Sequence, residues 1–273
     1  MYIHKEAKKN LIISLSDMKN TALDMVIVIC GWEGWGESFM ARGIAKFCAD
    51  FLGSTFGVED IYFDLNDYIK GSLNGGRFKI NVLDEARKVL NKRRAMSRDV
   101  VKFTNYLSEC RSKQQVHIIC VPSYSDLDRY VVAWRLNMLF CIDKEYLNSD
   151  ETESGYTPRF GTYRLFVSKK ALIYNYDRGY NYYPSKYEAR DKWTSVEVFS
   201  KEELEQYQAN KDKATMQKYM IEDKEKVSRD GVRLKSALIA FKDYTGLTHK
   251  EIAERAGLPL TTYQSKIKEE IKQ

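Results

Sequence analysis

The sequence predicts an α/β protein: a mostly parallel sheet with helices covering both faces. Three observations carry that expectation. Short apolar runs recur through the first half of the chain, they are apolar at successive rather than alternate positions, and helical periodicity fills the gaps between them. A strand that is apolar throughout is buried on both faces, which in a parallel sheet requires a helical layer on each side.

The first run is DMVIVIC, residues 24 to 30. It ends in the glycine-rich GWEGWGES (31 to 38), after which SFMARGIAKFCADFL places apolar residues at helical spacing. Strand, tight turn and helix therefore follow in order. IYFDL (61 to 65), FKINVLD (78 to 84), VHIICVP (116 to 122) and MLFCID (138 to 143) read as further strands, with helices over 98–114 and 126–137. Past Asp143 the chain turns polar in KEYLNSDETESGYTPRFG, and TYRLFVSKKALIYNY then predicts a β-hairpin feeding an aromatic-rich stretch over 174–199. Residues 201–229 are charged with a thin apolar stripe, as in a connecting helix. The expected plan is a core over 1–200 with a β extension at 161–200, a connecting helix over 201–230 and a small helical unit over 231–273.

A chain of 273 residues is long enough to bury a sizeable core. No 18-residue apolar run predicts a membrane span, and MYIHKEAKKN lacks the apolar segment of a secretion signal, so a cytoplasmic location is expected. Cys30, Cys48, Cys110, Cys120 and Cys141 are odd in number, form no C-x-x-C pair and sit mostly in apolar runs, which predicts reduced core thiols. The net charge is +6, but residues 77–113 alone hold eleven Lys or Arg against four Asp or Glu. Such a patch suits a polyanion, or else lines a solvated helix face.

GWEGWGES differs in one position from the phosphate-loop pattern G-x-x-x-x-G-K-[ST], with Glu37 in place of the lysine. Glycines let consecutive N–H groups point into one concavity, and the following helix adds the positive end of its dipole. Gly31, Gly34 and Gly36 provide that backbone. With Glu37, Ser38 and Phe39 they form the expected nucleotide-binding set, Ser38 carrying the hydroxyl suited to Mg²⁺. FKINVLDEA then ends a strand in Asp84 and Glu85: an aspartate to hold Mg²⁺ and a glutamate to orient the attacking water. A tight turn followed by an ordinary helix-start acid pair is the structural alternative.

With these motifs the chain resembles the additional-strand P-loop ATPases, and among them the FtsK/HerA-like group and the Zot-like proteins of viruses and plasmids. The resemblance rests on VIVICGWEGWGES with GIAKF, INVLDEA, LNKRRAMSRD, YLSECRSKQQVHIICVPS and SDLDRYVVAWR, and spans roughly residues 22–143. It implies ATP and Mg²⁺ as ligands, Glu85, Asp84 and Arg94 as catalytic groups, and Ser38 and Asp84 as metal ligands. By the same resemblance Arg93, Arg94 and Arg98 are candidates to reach a neighbouring subunit's phosphates in an oligomer; their alternative is a basic surface along DNA. Arg111 looks like the family's basic residue at a helix end, and Ser123 like a polar phosphate sensor or a helix cap. A carboxylate at 37 replaces attraction by repulsion in a partly dry site and works against binding and hydrolysis. A silenced enzyme, a site rescued by a neighbouring subunit's arginine and an introduced substitution all fit Glu37. Arg42, one turn into the helix, lies on the wrong face to stand in.

LTHKEIAERAGLPLTTYQSKIKEEI, residues 247 to 271, resembles a helix-turn-helix. Thr248 and Glu251 make a capping box, Ile252 and Ala253 point inward, Gly257 and Pro259 turn the chain, and Tyr263 and Ile267 face the core of a trihelical unit begun by VRLKSALIAFKDYTG. The resemblance implies DNA as partner, with Thr261, Thr262 and Gln264 at base edges and Ser265, Lys266 and Lys268 nearer phosphates. Residues 201–273 hold fifteen basic and thirteen acidic side chains, so one copy is expected to bind weakly and an oligomer to supply avidity. Tyr174, Tyr176, Tyr180, Tyr182, Tyr183, Tyr187 and Trp193 either stack single-stranded bases or pack a hairpin. The combined expectation is a DNA-associated, oligomeric ATPase-like protein of a mobile element, serving packaging, transfer, replication or segregation. The alternative is a non-catalytic DNA-binding scaffold or regulator that uses the same fold to oligomerise.

Overall fold

The computed structural model describes residues 5–31, 34–86, 98–143, 161–177, 189–193, 197–217, 246 and 248–255. The chain divides into two compact units, Met1–Lys211 and Asp212–Gln273. In the first, helix α1 (Lys5–Asn20) precedes strand β1 (Met25–Cys30) and helix α2 (Glu37–Leu52). Strand β2 (Ile61–Tyr62), helix α3 (Leu65–Leu73), strand β3 (Ile80–Leu83), helix α4 (Arg98–Glu109), strand β4 (Val116–Val121) and strand β5 (Leu136–Asp143) follow. Strand β6 (Gly161–Phe166), helix α5 (Lys169–Asp177), strand β7 (Ala189–Trp193) and a helix α6 over 201–217, of which residues 201–211 belong to this unit, complete the series. In the second unit, helix α7 is His249–Arg255.

The strands form one seven-stranded sheet in the order β2-β3-β4-β1-β5-β6-β7. β2, β3, β4, β1 and β5 are mutually parallel, and β6 pairs antiparallel with both β5 and β7. An α/β fold with a mostly parallel mixed sheet is therefore what the chain adopts. Successive side chains of β1 enter opposite layers: Met25, Ile27 and Ile29 join one core with α1 and α2, while Val26, Val28 and Cys30 join the other with α3 and α4. That two-sided burial is the physical reason for the unbroken apolar runs.

Helix α1 lies outside the sequence expectation, although Ala7, Leu11, Leu15 and Met18 recur at helical spacing and are all buried. They cover the sheet face beside α2. Truncating Leu11 to alanine is expected to lower unfolding stability by about 2–5 kcal/mol, the usual range for a fully buried leucine. A urea-unfolding midpoint indistinguishable from that of the unmodified chain would show that α1 is not docked.

Four local expectations are corrected. The strand foreseen over 61–65 stops at Tyr62, because the Asp64 carboxylate accepts from the N–H groups of Asn66 and Asp67 and starts α3. The helix foreseen over 98–114 ends at Glu109 and tightens into a 3₁₀ turn, Cys110–Lys113. In place of a helix over 126–137 there are a 3₁₀ turn (Tyr124–Asp126), a π-helical turn (Val131–Arg135) and the start of β5 at Leu136. Asn137 is drawn into the sheet by accepting from the Val26 N–H at 2.8 Å, where the β1–β5 register shifts. The second arm of the foreseen β-hairpin is helix α5: Ser168 accepts from the Ala171 N–H, Leu172 is buried, and Tyr176, one turn on, donates to the Leu127 carbonyl.

Candidate functional site

The loop after β1 turns on Gly34 (φ 83°) and Gly36 (φ 100°), backbone conformations that a side chain would strain. Helix α2 starts directly after it with no side-chain cap from Gly36, leaving its first N–H groups to find another acceptor. The Glu37 carboxyl lies close enough to the N–H groups of Gly36 and Glu37 for their hydrogen-bonding influence to favour its charged form. The side chain folds back over the loop, so that a Cβ added to Gly31 would stand 3.3 Å from Glu37 Oε1. Burial pushes the Glu37 carboxyl up to about 7; those two N–H groups oppose the rise, and the Asp84 and Glu85 charges add to it.

Strand β3 brings the acid pair to the same end of the sheet. Asp84 is 4% exposed, and its Oδ1 accepts from Ser38 Oγ at 3.1 Å and from the Glu85 N–H at 2.9 Å. Glu85 takes a positive φ of 59°, sharply turning the chain off the strand. Ser38 and Asp84, 46 positions apart in sequence, thus meet as a pair of hard oxygen donors of the kind Mg²⁺ selects.

Two further groups at this site went unnoticed in the sequence. Tyr207 of α6 donates to Asp84 Oδ2 at 2.7 Å and hydrogen-bonds Ser38. Lys211, one turn later, stands 3.0 Å from Glu85 Oε1. The segment leading into α6 is pinned by Arg42, whose guanidinium grips Glu197 at 2.9 and 3.3 Å and lies 4.9 Å from the centre of the Tyr207 ring. Arg42 is thereby committed away from the loop, and Phe39 lies partly buried against the core, 5.4 Å from the same guanidinium. The only sequence signal for the pair was the stripe Leu204, Tyr207, Lys211 along one face of a charged helix.

Other expected residues are placed as follows. Arg93 and Arg94 lie outside the described residues, and Arg98 begins α4 with its side chain outside them. Arg111 sits in the turn before β4, at the opposite end of the parallel sheet from the loop. Ser123 follows β4 and accepts from the Ser125 N–H, capping the next turn. In the basic segment, Lys79 is taken up by Asp60 at 3.2 Å and by Tyr62, and Arg77 lies over the Phe78 ring. Tyr174 is exposed on α5 and Tyr176 packs on Tyr124; Tyr180, Tyr182, Tyr183, Tyr187 and the Trp193 side chain lie outside the described residues. So do Gly257, Pro259, Thr261, Thr262, Tyr263, Gln264, Ser265, Lys266, Ile267 and Lys268. The capping box is present: Thr248 N–H donates to Glu251 Oε2 at 2.8 Å, Glu251 N–H donates to Thr248 Oγ1 at 3.4 Å, and Ile252 is buried.

At the other end of the sheet the chain buries a polar network. Asp24 is paired with Arg135, Cys110 Sγ lies 3.4 Å from Asp24 Oδ2, and His117 Nδ1 lies 2.6 Å from the Tyr68 hydroxyl. Asp24, Cys110 and His117 offer ligand atoms within 4.8 Å of one another, but the guanidinium on Asp24 places a fixed positive charge against any cation there. All five cysteines are buried and none forms a disulfide, with 3.1 Å between the sulfurs of Cys30 and Cys141.

Burial holds the His117 pKa down at about 4. A depressed histidine stabilises the fold above its unfolded value of about 6.5, and that contribution is lost as pH falls toward the folded value, because the unfolded chain takes up the proton first. The unmodified chain is expected to lose about 2 kcal/mol more than His117→Gln between pH 7.5 and pH 5. Urea unfolding at the two pH values checks this, and parallel losses would contradict it.

Comparison of the chain with protein-family models, with curated proteins and with solved structures gives no match. Fold and site thus define an α/β protein with a glycine loop facing an acid pair. Among the described residues no helix is long and apolar enough to cross a membrane.

Proposed function

We propose that this protein is a DNA-associated, P-loop ATPase-like protein of a mobile element, acting as an oligomer in packaging, transfer, replication or segregation of DNA. The observation that carries the reading is the contact between Ser38, at the start of α2, and Asp84, at the end of β3, at the C-terminal end of the parallel strands where the glycine loop opens. Supporting it, β4 lies between the loop strand β1 and the acid strand β3, an additional strand in the sense of the group's name.

In this reading the N–H groups of the loop bind the phosphates of ATP, and Glu85 orients water against the γ-phosphate. Ser38 and Asp84 would hold Mg²⁺, whose charge would neutralise that of the phosphates. Lys211 on Glu85 and Tyr207 on Asp84 keep both acids engaged. DNA binding falls to the C-terminal helix-turn-helix, for which the Thr248–Glu251 capping box is the local support.

The second reading, a non-catalytic DNA-binding scaffold or regulator, is favoured by one observation: the Glu37 carboxyl folds back over the loop, its Oε1 3.3 Å from where a Cβ on Gly31 would stand. Phosphate release with and without DNA separates the two. The motor predicts Mg-ATP-dependent, DNA-stimulated release; the scaffold predicts salt-sensitive DNA binding indifferent to nucleotide. In either case deletion of residues 231–273 is expected to abolish sequence-selective DNA binding, and intact selectivity would overturn the helix-turn-helix assignment.

A further inference from the structure

A phosphate loop without its lysine still needs a cation, because several phosphate oxygens brought beside Asp84 and Glu85 repel both acids. Arg42 cannot provide it while it grips Glu197. The described cation that does reach the acids comes from far along the chain. Lys211 stands 3.0 Å from Glu85, the neighbour of Asp84, and Asp84 is in turn contacted by Ser38 at the start of α2, so its ammonium lies on the acid pair beside the loop. Lys211 arrives there on a helix held in place at three contacts upstream. Glu197 is clamped by Arg42, Phe199 is stacked on Phe56 with ring centres 5.7 Å apart, and Tyr207 is bonded to Asp84. Tyr207 and Lys211 are four residues apart, hence on the same helical face.

We propose that Lys211 is the phosphate-contacting cation of this site, supplied by helix α6 in place of the loop lysine, and that the site it completes takes a Mg-nucleoside triphosphate. The inference rests on the phosphate-loop reading above. A lysine suits the task because its ammonium is a compact charge on a flexible four-carbon stem, able to leave one acceptor for another nearby. Its side chain is half-buried, with the ammonium paired to Glu85 at 3.0 Å. With no nucleotide, Lys211 neutralises Glu85. When phosphates enter the loop they compete for its ammonium, and its transfer releases Glu85 to orient water. Binding and readiness for hydrolysis are thereby coupled through one side chain, and the coupling explains why a residue of α6 contacts the acid that works on water. Burial favours the neutral amine, but the hydrogen bond to Glu85 and the charges of Asp84 and Glu85 outweigh it, so the side chain remains a cation at neutral pH.

Equilibrium binding of Mg-ATP to five full-length forms tests this: unmodified, Lys211→Ala, Lys211→Arg, Glu37→Lys and Glu37→Lys/Lys211→Ala. Thermal unfolding of each confirms that it is folded. The expected result is a tenfold or greater loss of affinity in Lys211→Ala and retention within about threefold in Lys211→Arg. In the Glu37→Lys background, where the loop carries its own cation, removing Lys211 is expected to cost less than about threefold, since ~1.4 kcal/mol is a factor of ten and one contact is partly redundant with the other. Equal binding by the unmodified chain and Lys211→Ala, absence of binding by both included, overturns the role of Lys211 while Glu37→Lys still binds. An equal loss in both backgrounds likewise overturns it, because it marks Lys211 as a structural prop. If Glu37→Lys fails to bind as well, the phosphate-loop reading itself falls, and this proposal with it.

Discussion

Replacing Glu37 with lysine is expected to tighten Mg-ATP binding by a hundredfold or more. Two effects act in the same direction. The substitution removes a carboxyl that folds back over Gly31, so the loop opens to a ligand phosphate. It also places a cation where a group with acidic character lay beside Asp84 and Glu85. Together these are worth about 3 kcal/mol or more, taking ~1.4 kcal/mol per tenfold. Titration calorimetry of both forms measures the difference, and equal affinities would show that residue 37 does not face the ligand. Because the Glu37 carboxyl is held at about 7, the contrast should be larger at pH 8 than at pH 6, where the carboxyl is mostly neutral and repels phosphate less.

A second large effect is expected far from the loop. Asp24→Asn leaves the Arg135 guanidinium buried with its charge no longer balanced, and removing one partner of a buried ion pair costs about 3–5 kcal/mol. Arg135 Nε already has no hydrogen-bond partner, so the arginine brings an unmet donor as well as a charge. The double variant Asp24→Asn/Arg135→Met should therefore be more stable than Asp24→Asn alone, since it removes the stranded charge and keeps an apolar body of similar length. Urea unfolding of the three chains decides this; a double variant no better than the single would mean that Arg135 stabilises through packing and not through Asp24.

The parts legible in the sequence are those whose physics is local. The run MVIVIC predicts a strand buried on both faces, and β1 is one; INVL ending in Asp84 and Glu85 predicts an acid pair at a strand end, and β3 delivers it. Thr248 and Glu251, three residues apart, announce a reciprocal cap that the backbone makes. Helix α1 was equally legible in the spacing of Ala7, Leu11, Leu15 and Met18, which recur three or four apart. The foreseen hairpin after Thr162 failed because Ser168 caps a helix, a choice that alternation in TYRLFV cannot reveal. Tyr207 and Lys211 showed in the sequence only as a thin stripe on a charged helix, with nothing to join them to the acid pair. Tyr207 is 123 positions from Asp84, and only the folding of α6 back onto the C-terminal ends of the strands joins them. The same holds for Asp24 and Arg135, 111 positions apart and joined by the pairing of β1 with β5.

Whether residues 31–38 are a phosphate cradle is tested most directly at the backbone N–H groups that would hold the ligand. In the ¹⁵N-labelled Glu37→Lys protein, titration with Mg-ATP is expected to move the amide resonances of Gly34, Gly36 and Ser38 saturably, with a smaller shift at Glu85 as its partner Lys211 is drawn away. Unmoved loop amides at saturating nucleotide, or shifts confined to other parts of the sheet, would contradict the phosphate site outright.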